Sequence, residues 1–170
     1  MIMNKLYLKD LSKDIKLILV AFLITLSTGI LVGMIYVIKT TDSNPEGIIE
    51  HYNGKDTAII NDISDWDSPP KIKKYLHDML ETTHTHITSF AIISILVGSI
   101  FYFNSTMNDK LQIFLIIEPF ISTLVTFGSL WLMRYVNDSF AYIVMISAAL
   151  LYPCWIIMIS ISLYELLFKK

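Results

Sequence analysis

The sequence predicts an all-α membrane protein, a four transmembrane helix bundle with a partly helical loop on its outer side. Three observations predict it. Four stretches stay apolar for the roughly 20 residues that a helix needs to cross a bilayer core. Charged residues make up 16% of the 170, against about a quarter in soluble domains, and hydrophobic ones reach 54%. The first and last stretches lack the polar stripe at helical spacing that a soluble amphipathic helix carries. Backbone in lipid must satisfy its own hydrogen bonds, so these stretches are helices.

The elements follow in order. Residues 1–16 form a basic tail with Lys5, Lys9, Lys13 and Lys16. The first span is predicted over residues 17–38. Its apolar run exceeds the roughly 7–15 residues of a signal-peptide core and no Ala-x-Ala site follows, so it is read as retained. Residues 39–82 form the outer loop. Within it, Ser43-Asn44-Pro45-Glu46 reads as a helix start, with a capping side chain, proline in the first turn and an acid near the positive end. That helix is predicted to stop at Gly54, a residue suited to a left-handed cap. A second start is read at Asp67-Ser68-Pro69-Pro70, from which a helix should run unbroken into the second span, residues 83–103. From Pro70 to Phe103 it would be about 50 Å long. A short loop over 104–110, a third span over 111–136, an outer turn over 137–139 and a fourth span over 140–168 complete the chain.

Lysine and arginine in the flanks set the orientation. The tail, the 104–110 loop and the C-terminus carry seven lysines on one side. The long loop, Thr40 to Thr82, sets four lysines against nine acids. Both termini are therefore expected to be cytoplasmic, in a multi-pass protein of a bacterial inner membrane. Gly29 and Gly33, and Ser94 and Gly98, stand at small-xxx-small spacing, which lets helix backbones approach in lipid. They predict a tight bundle and are compatible with a homodimer.

All four histidines fall on the outer side: His51 in the loop helix, and His77, His84 and His86 on the second membrane helix. His77, Glu81 and His84 stand at i, i+4 and i+7 on one face, and Glu81-x-x-His84 is a spacing that bundle proteins use for metals. His86 lies about 200° round the helix from His84. Three readings compete. The histidines are ordinary interfacial residues. Alternatively, His84 or His86 binds haem b with His51 as the second axial ligand and Arg134 near the propionates. In the third, Glu81, His84 and His77, with Glu50 or His51 as a further ligand, hold copper, zinc or iron. On either cofactor reading, His84 is expected to matter more than His86, because His77 and Glu81 share its face.

Glu118, in Leu-Ile-Ile-Glu-Pro-Phe, lies about 12 Å into the third span. A charge there is costly, so the side chain is expected to be neutral, paired or beside a wet cavity. Arg134 is about 24 Å away along the same helix, too far to pair with it. Glu118 is therefore expected to be neutral and to donate a hydrogen bond or relay a proton. Pro119 removes a backbone donor beside it, and a kink with an acid suits a proton path or a quinone pocket.

The near-neutral net charge of −2 and the lack of a basic tract exclude a nucleic-acid partner. A lone cysteine, Cys154, excludes an intrachain disulfide, a zinc ribbon and covalent c-type haem. No catalytic motif appears, so no enzymatic activity is expected.

The phrases PEGIIEHYNG, THTHITSFAIISILVG and SLWLMRY resemble a family of small uncharacterised bacterial four-helix inner-membrane proteins. The resemblance implies the fold and no activity. Cytochrome b561-type bundles are similar in helix number, but no histidine lies on spans one, three or four, so a two-haem path is not expected. The favoured reading is an outward-facing histidine site for haem b or a metal ion, in a respiratory or redox membrane complex. The alternatives are a noncatalytic accessory subunit, or a small transporter using Glu118.

Overall fold

The computed structural model describes residues 6–54 and 72–169. Among them are five α-helices and no strand: α1 (Lys13–Thr41), α2 (Pro45–Asn53), α3 (Leu76–Tyr102), α4 (Asp109–Tyr135) and α5 (Phe140–Phe168). Four of these, all but α2, are long and apolar enough to cross a membrane. The last coincides with the sequence expectation at both ends, and the others differ from it by one to seven residues.

The expected loop helix is present, and its start is chemically defined. The Asn44 side chain accepts from the Gly47 N–H at 2.6 Å, and Pro45 opens the first turn. Between α1 and α2 the backbone turns through left-handed geometry at Asp42 (φ 51°) and Ser43 (φ 52°). This sharp reversal presses α2 on the end of α1. A Cβ on Gly47 would stand 1.9 Å from the Thr41 carbonyl oxygen, so only glycine fits there. Gly54 ends the helix at φ 82° and ψ 164°, a region suited to glycine rather than the left-handed helical cap expected.

The second membrane helix starts later than expected. It begins at Leu76, where the Asp78 carboxylate accepts from the Tyr75 N–H at 3.1 Å. The 72–75 stretch is not helical because it is recruited elsewhere: the Lys74 N–H bonds to the Tyr52 carbonyl at 3.0 Å. The proposed start at Asp67-Ser68-Pro69-Pro70 lies outside the described residues. The helix is about 40 Å long rather than 50 Å.

The tail also departs from a free segment. Leu8, in a 3-10 turn over Leu8–Asp10, is buried at 1% exposure, and its N–H bonds to the Phe103 carbonyl at 2.9 Å. It closes the end of the bundle opposite α2.

Packing is uneven. The most extensive helix pair is α4 with α5, followed by α3 with α4. The core centres on Trp155, Phe101, Met158 and Leu151, all nearly inaccessible. A smaller cluster under α2 contains Ile48, Phe127, Leu130 and Met133. Ser94 and Gly98 are buried, and a Cβ on Gly98 would meet Ile116 at 3.0 Å, so this small-residue pair does admit a neighbouring helix. Gly29 and Gly33 do not: a Cβ at either would meet nothing within 4 Å. Their open face leaves α1 the most exposed of the four long helices.

Candidate functional site

The histidine-bearing residues are placed first. His77, Glu81 and His84 occupy one exposed face of α3, as their spacing requires. They do not converge: seven residues separate the histidines by about 10 Å along the axis, and zinc holds its ligands at about 2 Å. Among the described residues, no three His, Cys, Asp or Glu side chains come together as a metal site. His51 is half-buried on α2, its ring edge-on to Tyr52 at 4.9 Å.

His86 is the better-held histidine. Its ring lies 5.5 Å from both Phe90 and Phe127, and its Nδ1 is 2.8 Å from the Thr82 carbonyl oxygen. A carbonyl only accepts, so Nδ1 carries a hydrogen, and the neutral tautomer with that arrangement has its lone pair on Nε2. Fixing the ring through one nitrogen is how ligating histidines are oriented.

Arg134 is held by its neighbours at the end of α4. Its guanidinium donates to the Lys74 carbonyl at 3.1 Å and lies 5.3 Å from the Tyr135 ring. Nearby, Lys74 Nζ stands 4.4 Å over the Tyr52 ring. Burial lowers the Lys74 ammonium's pKa, with Asp78 opposing, and burial pushes the Tyr52 phenol up to about 12, helped by Tyr36 and Tyr152. Trp131 donates to Thr83 Oγ1 at 2.9 Å, and Asn53 to Asp138 at 2.8 Å. These contacts latch α2 and the 72–75 stretch on the α3–α5 end, a structural task.

Glu118 has a different environment. It is 8% exposed on α4, and its Oε1 accepts from Ser122 Oγ, one turn along the same helix. Its Oε2 is buried without a partner. The Cys154 thiol on α5 interacts with the same carboxyl. Pro119 allows no backbone N–H beside it, and its carbonyl accepts from Thr123 Oγ1 at 2.7 Å.

Glu118 also lines a half-open groove of about 630 Å³ between α4 and α5. One stripe of α4, with Ile113, Ile117 and Ile121, forms one wall, and Ile143, Ile146 and Leu150 of α5 form the other. Ser122 and Ser147 supply its other polar groups, and Lys110 stands at one end. Ser147 Oγ pairs with Thr126 Oγ1 at 2.7 Å across the two helices.

Sequence reasoning singled out Glu118 but missed Ser122, which the i+4 spacing points to. It also missed Glu165, fully buried on α5, whose Oε2 accepts from the Ser105 N–H at 2.8 Å and Thr106 Oγ1 at 3.2 Å. An acid in an otherwise apolar terminal run was the available signal.

Four apolar helices around buried polar side chains define an integral membrane protein. Residues 42–170 match the model of a family described as a transmembrane helical domain, and the chain belongs to that family. No curated protein and no solved structure matches the chain.

Proposed function

We propose that the protein is a membrane subunit that binds a lipid-soluble molecule in the α4–α5 groove, against Glu118. One observation carries this reading: a carboxyl 8% exposed, with Oε2 unpartnered, lines an otherwise apolar groove. The groove's volume falls within the roughly 300–1,000 Å³ of small-molecule sites. The role is binding, and any transport or proton relay through Glu118 would start from this bound state.

The test is extraction. Wild-type protein purified in native-lipid discs should release a lipid-soluble molecule by mass spectrometry that Glu118→Leu protein lacks. Identical lipid profiles from two folded samples would sink the reading.

A second reading keeps the histidines, as a haem b or transition-metal site within a respiratory complex. What favours it is His86, whose ring is fixed through Nδ1 and leaves Nε2 to coordinate. On this reading the missing ligands come from a second copy or a partner chain. A reduced-minus-oxidised absorption spectrum and metal analysis test it. Haem lost in His86→Ala but kept in His84→Ala supports an axial role for His86. Metal lost in His84→Ala alone supports the exposed face with His77 and Glu81.

A further inference from the structure

We propose that α4 and α5 part locally at a joint where a proline of each helix stands at the same level, and that the Glu118–Cys154 contact holds this joint shut. The inference concerns movement within the chain, needs no ligand and goes beyond the binding reading above.

Three observations carry it. The first is the backbone. Pro119 lies inside α4 and Pro153 inside α5, whereas α1 and α3 contain no proline. An interior proline has no N–H for the carbonyl four residues earlier, here those of Leu115 and Ala149, and its ring crowds that carbonyl. Helices bend at such points. On α4 the Thr123 hydroxyl also donates to the Pro119 carbonyl at 2.7 Å, a kind of bond that bends helices further.

The second is register. Glu118 precedes Pro119, Cys154 follows Pro153, and the Glu118 carboxyl interacts with the Cys154 thiol. The two weakened turns therefore lie side by side, in the most extensive helix pair of the bundle.

The third is the position of the fastenings. Towards α2, Thr126 Oγ1 pairs with Ser147 Oγ at 2.7 Å, and Trp131 donates to Thr83 Oγ1 on α3 at 2.9 Å. Towards the other end, Gln112 Nε2 donates to the Phe101 carbonyl at 2.7 Å. Between those points Ser122 and Thr123 bond within α4 itself, to Glu118 and Pro119. At the level of the joint α5 is tied to α3, because Trp155 Nε1 donates to Ser94 Oγ at 3.1 Å. With both ends pinned and only the Glu118–Cys154 contact fastening its middle to α5, α4 is the helix that bows. The bow uncovers the Cys154 thiol and brings the buried Oε2 of Glu118 to the groove that this residue lines.

Cys154 is the single cysteine of the chain and is 6% exposed, so its reaction reports the opening. The test mixes the full chain in phospholipid nanodiscs with dithiodipyridine, an uncharged disulfide that enters the bilayer, and follows the released thiopyridone by absorbance. The expected result is slow, complete modification of the folded protein. Pro119→Ala restores an N–H for the Leu115 carbonyl and should slow it about fivefold, the equivalent of one backbone hydrogen bond. Pro153→Ala should slow it less, because Trp155 already ties that helix to α3. Glu118→Ala removes the catch and should speed it. Gly33→Ala, a helix-stabilising change on α1, should leave it unchanged.

Rates unchanged in both Pro119→Ala and Glu118→Ala would overturn the joint. So would Gly33→Ala slowing the reaction as much as Pro119→Ala, the mark of global unfolding. Hydrogen exchange on the wild-type chain needs no variant. The α4 peptide over 115–123 should exchange faster than the α3 peptide around Ser94, which lies at the same level, and equal protection would overturn the joint. Neither measurement involves a ligand, so the extraction experiment decides the binding reading separately.

Discussion

Replacing Glu165 should loosen the end of the bundle formed by the 104–107 loop. The side chain is 0% exposed, and Oε2 accepts from the Ser105 N–H at 2.8 Å and Thr106 Oγ1 at 3.2 Å. Lys169 Nζ closes the same cluster through Ser105 Oγ at 3.2 Å and Thr106 Oγ1 at 3.3 Å. A hydrogen bond contributes about 0.5–1.5 kcal/mol, and a buried donor left without a partner costs about 1–3 kcal/mol more. Two such bonds are lost in Glu165→Ala, and the Ser105 N–H is left without its partner. The other carboxyl oxygen, Oε1, is buried without a partner, and its removal offsets part of the loss. A net cost of about 2–4 kcal/mol follows. For a chain of this length that lowers Tm by about 5–12 °C. Thermal unfolding in one detergent, followed by circular dichroism, measures it. Glu165→Gln keeps an acceptor for Ser105 and should lose less than half as much. An alanine variant within about 0.5 kcal/mol of wild type would refute the reasoning, because that is the range of an ordinary surface change.

Three further outcomes are expected. Cysteine placed at Ser64 in a Cys154→Ala background should react with an impermeant thiol reagent in intact cells, as the lysine distribution requires, and labelling only after lysis would reverse the orientation. Gly98→Val should destabilise by about 1–3 kcal/mol, because its Cβ already meets Ile116 at 3.0 Å, whereas Gly33→Ala should be neutral or stabilising in the monomer. A fall in oligomeric mass on Gly33→Leu would identify the open face of α1 as a dimer contact. Lastly, the Tyr52 phenol stays protonated in the folded chain up to about pH 12 but ionises near 10 when unfolded, so stability should fall as pH rises through that window, measured by denaturant titration, and Tyr52→Phe should flatten the fall.

The membrane helices were legible in the sequence because lipid imposes a length and a composition on them, as α5 illustrates with both ends matched. The α2 helix was legible for another reason: Asn44, Pro45 and Gly54 act locally, and their signals need no tertiary context. The start of α3 was not legible. Lys73 and Lys74 fit a helix by propensity, but Tyr52 and Arg134 take the Lys74 backbone groups, and those partners are 22 and 60 residues away. The same limit explains the two small-residue pairs. Spacing alone does not distinguish Ser94, which accepts from Trp155 at 3.1 Å, from Gly29 and Gly33, which face open space. For the site, residue type exposed Glu118, but the groove depends on α5 lying alongside α4 and had no sequence signal.

The partners of the polar groups in the membrane helices set Glu118 apart. On α1, the Thr25, Ser27 and Thr28 hydroxyls bond to carbonyls one turn back, so that helix asks nothing of its neighbours. On α3, Ser94 is paired with Trp155; between α4 and α5, Thr126 is paired with Ser147. Six buried side-chain atoms remain unpartnered among the described residues. Asn53, Asn104 and Arg134 stand at or beyond the helix ends. Ser162 and Glu165 lie within two turns of the end of α5, and Glu165 fastens the 104–107 loop. Glu118 is the farthest of the six from a helix end, and it lines the α4–α5 groove. Its side-chain neighbours are Ser122 on the same helix and the Cys154 thiol on α5, so the two most closely packed helices share this one buried acid.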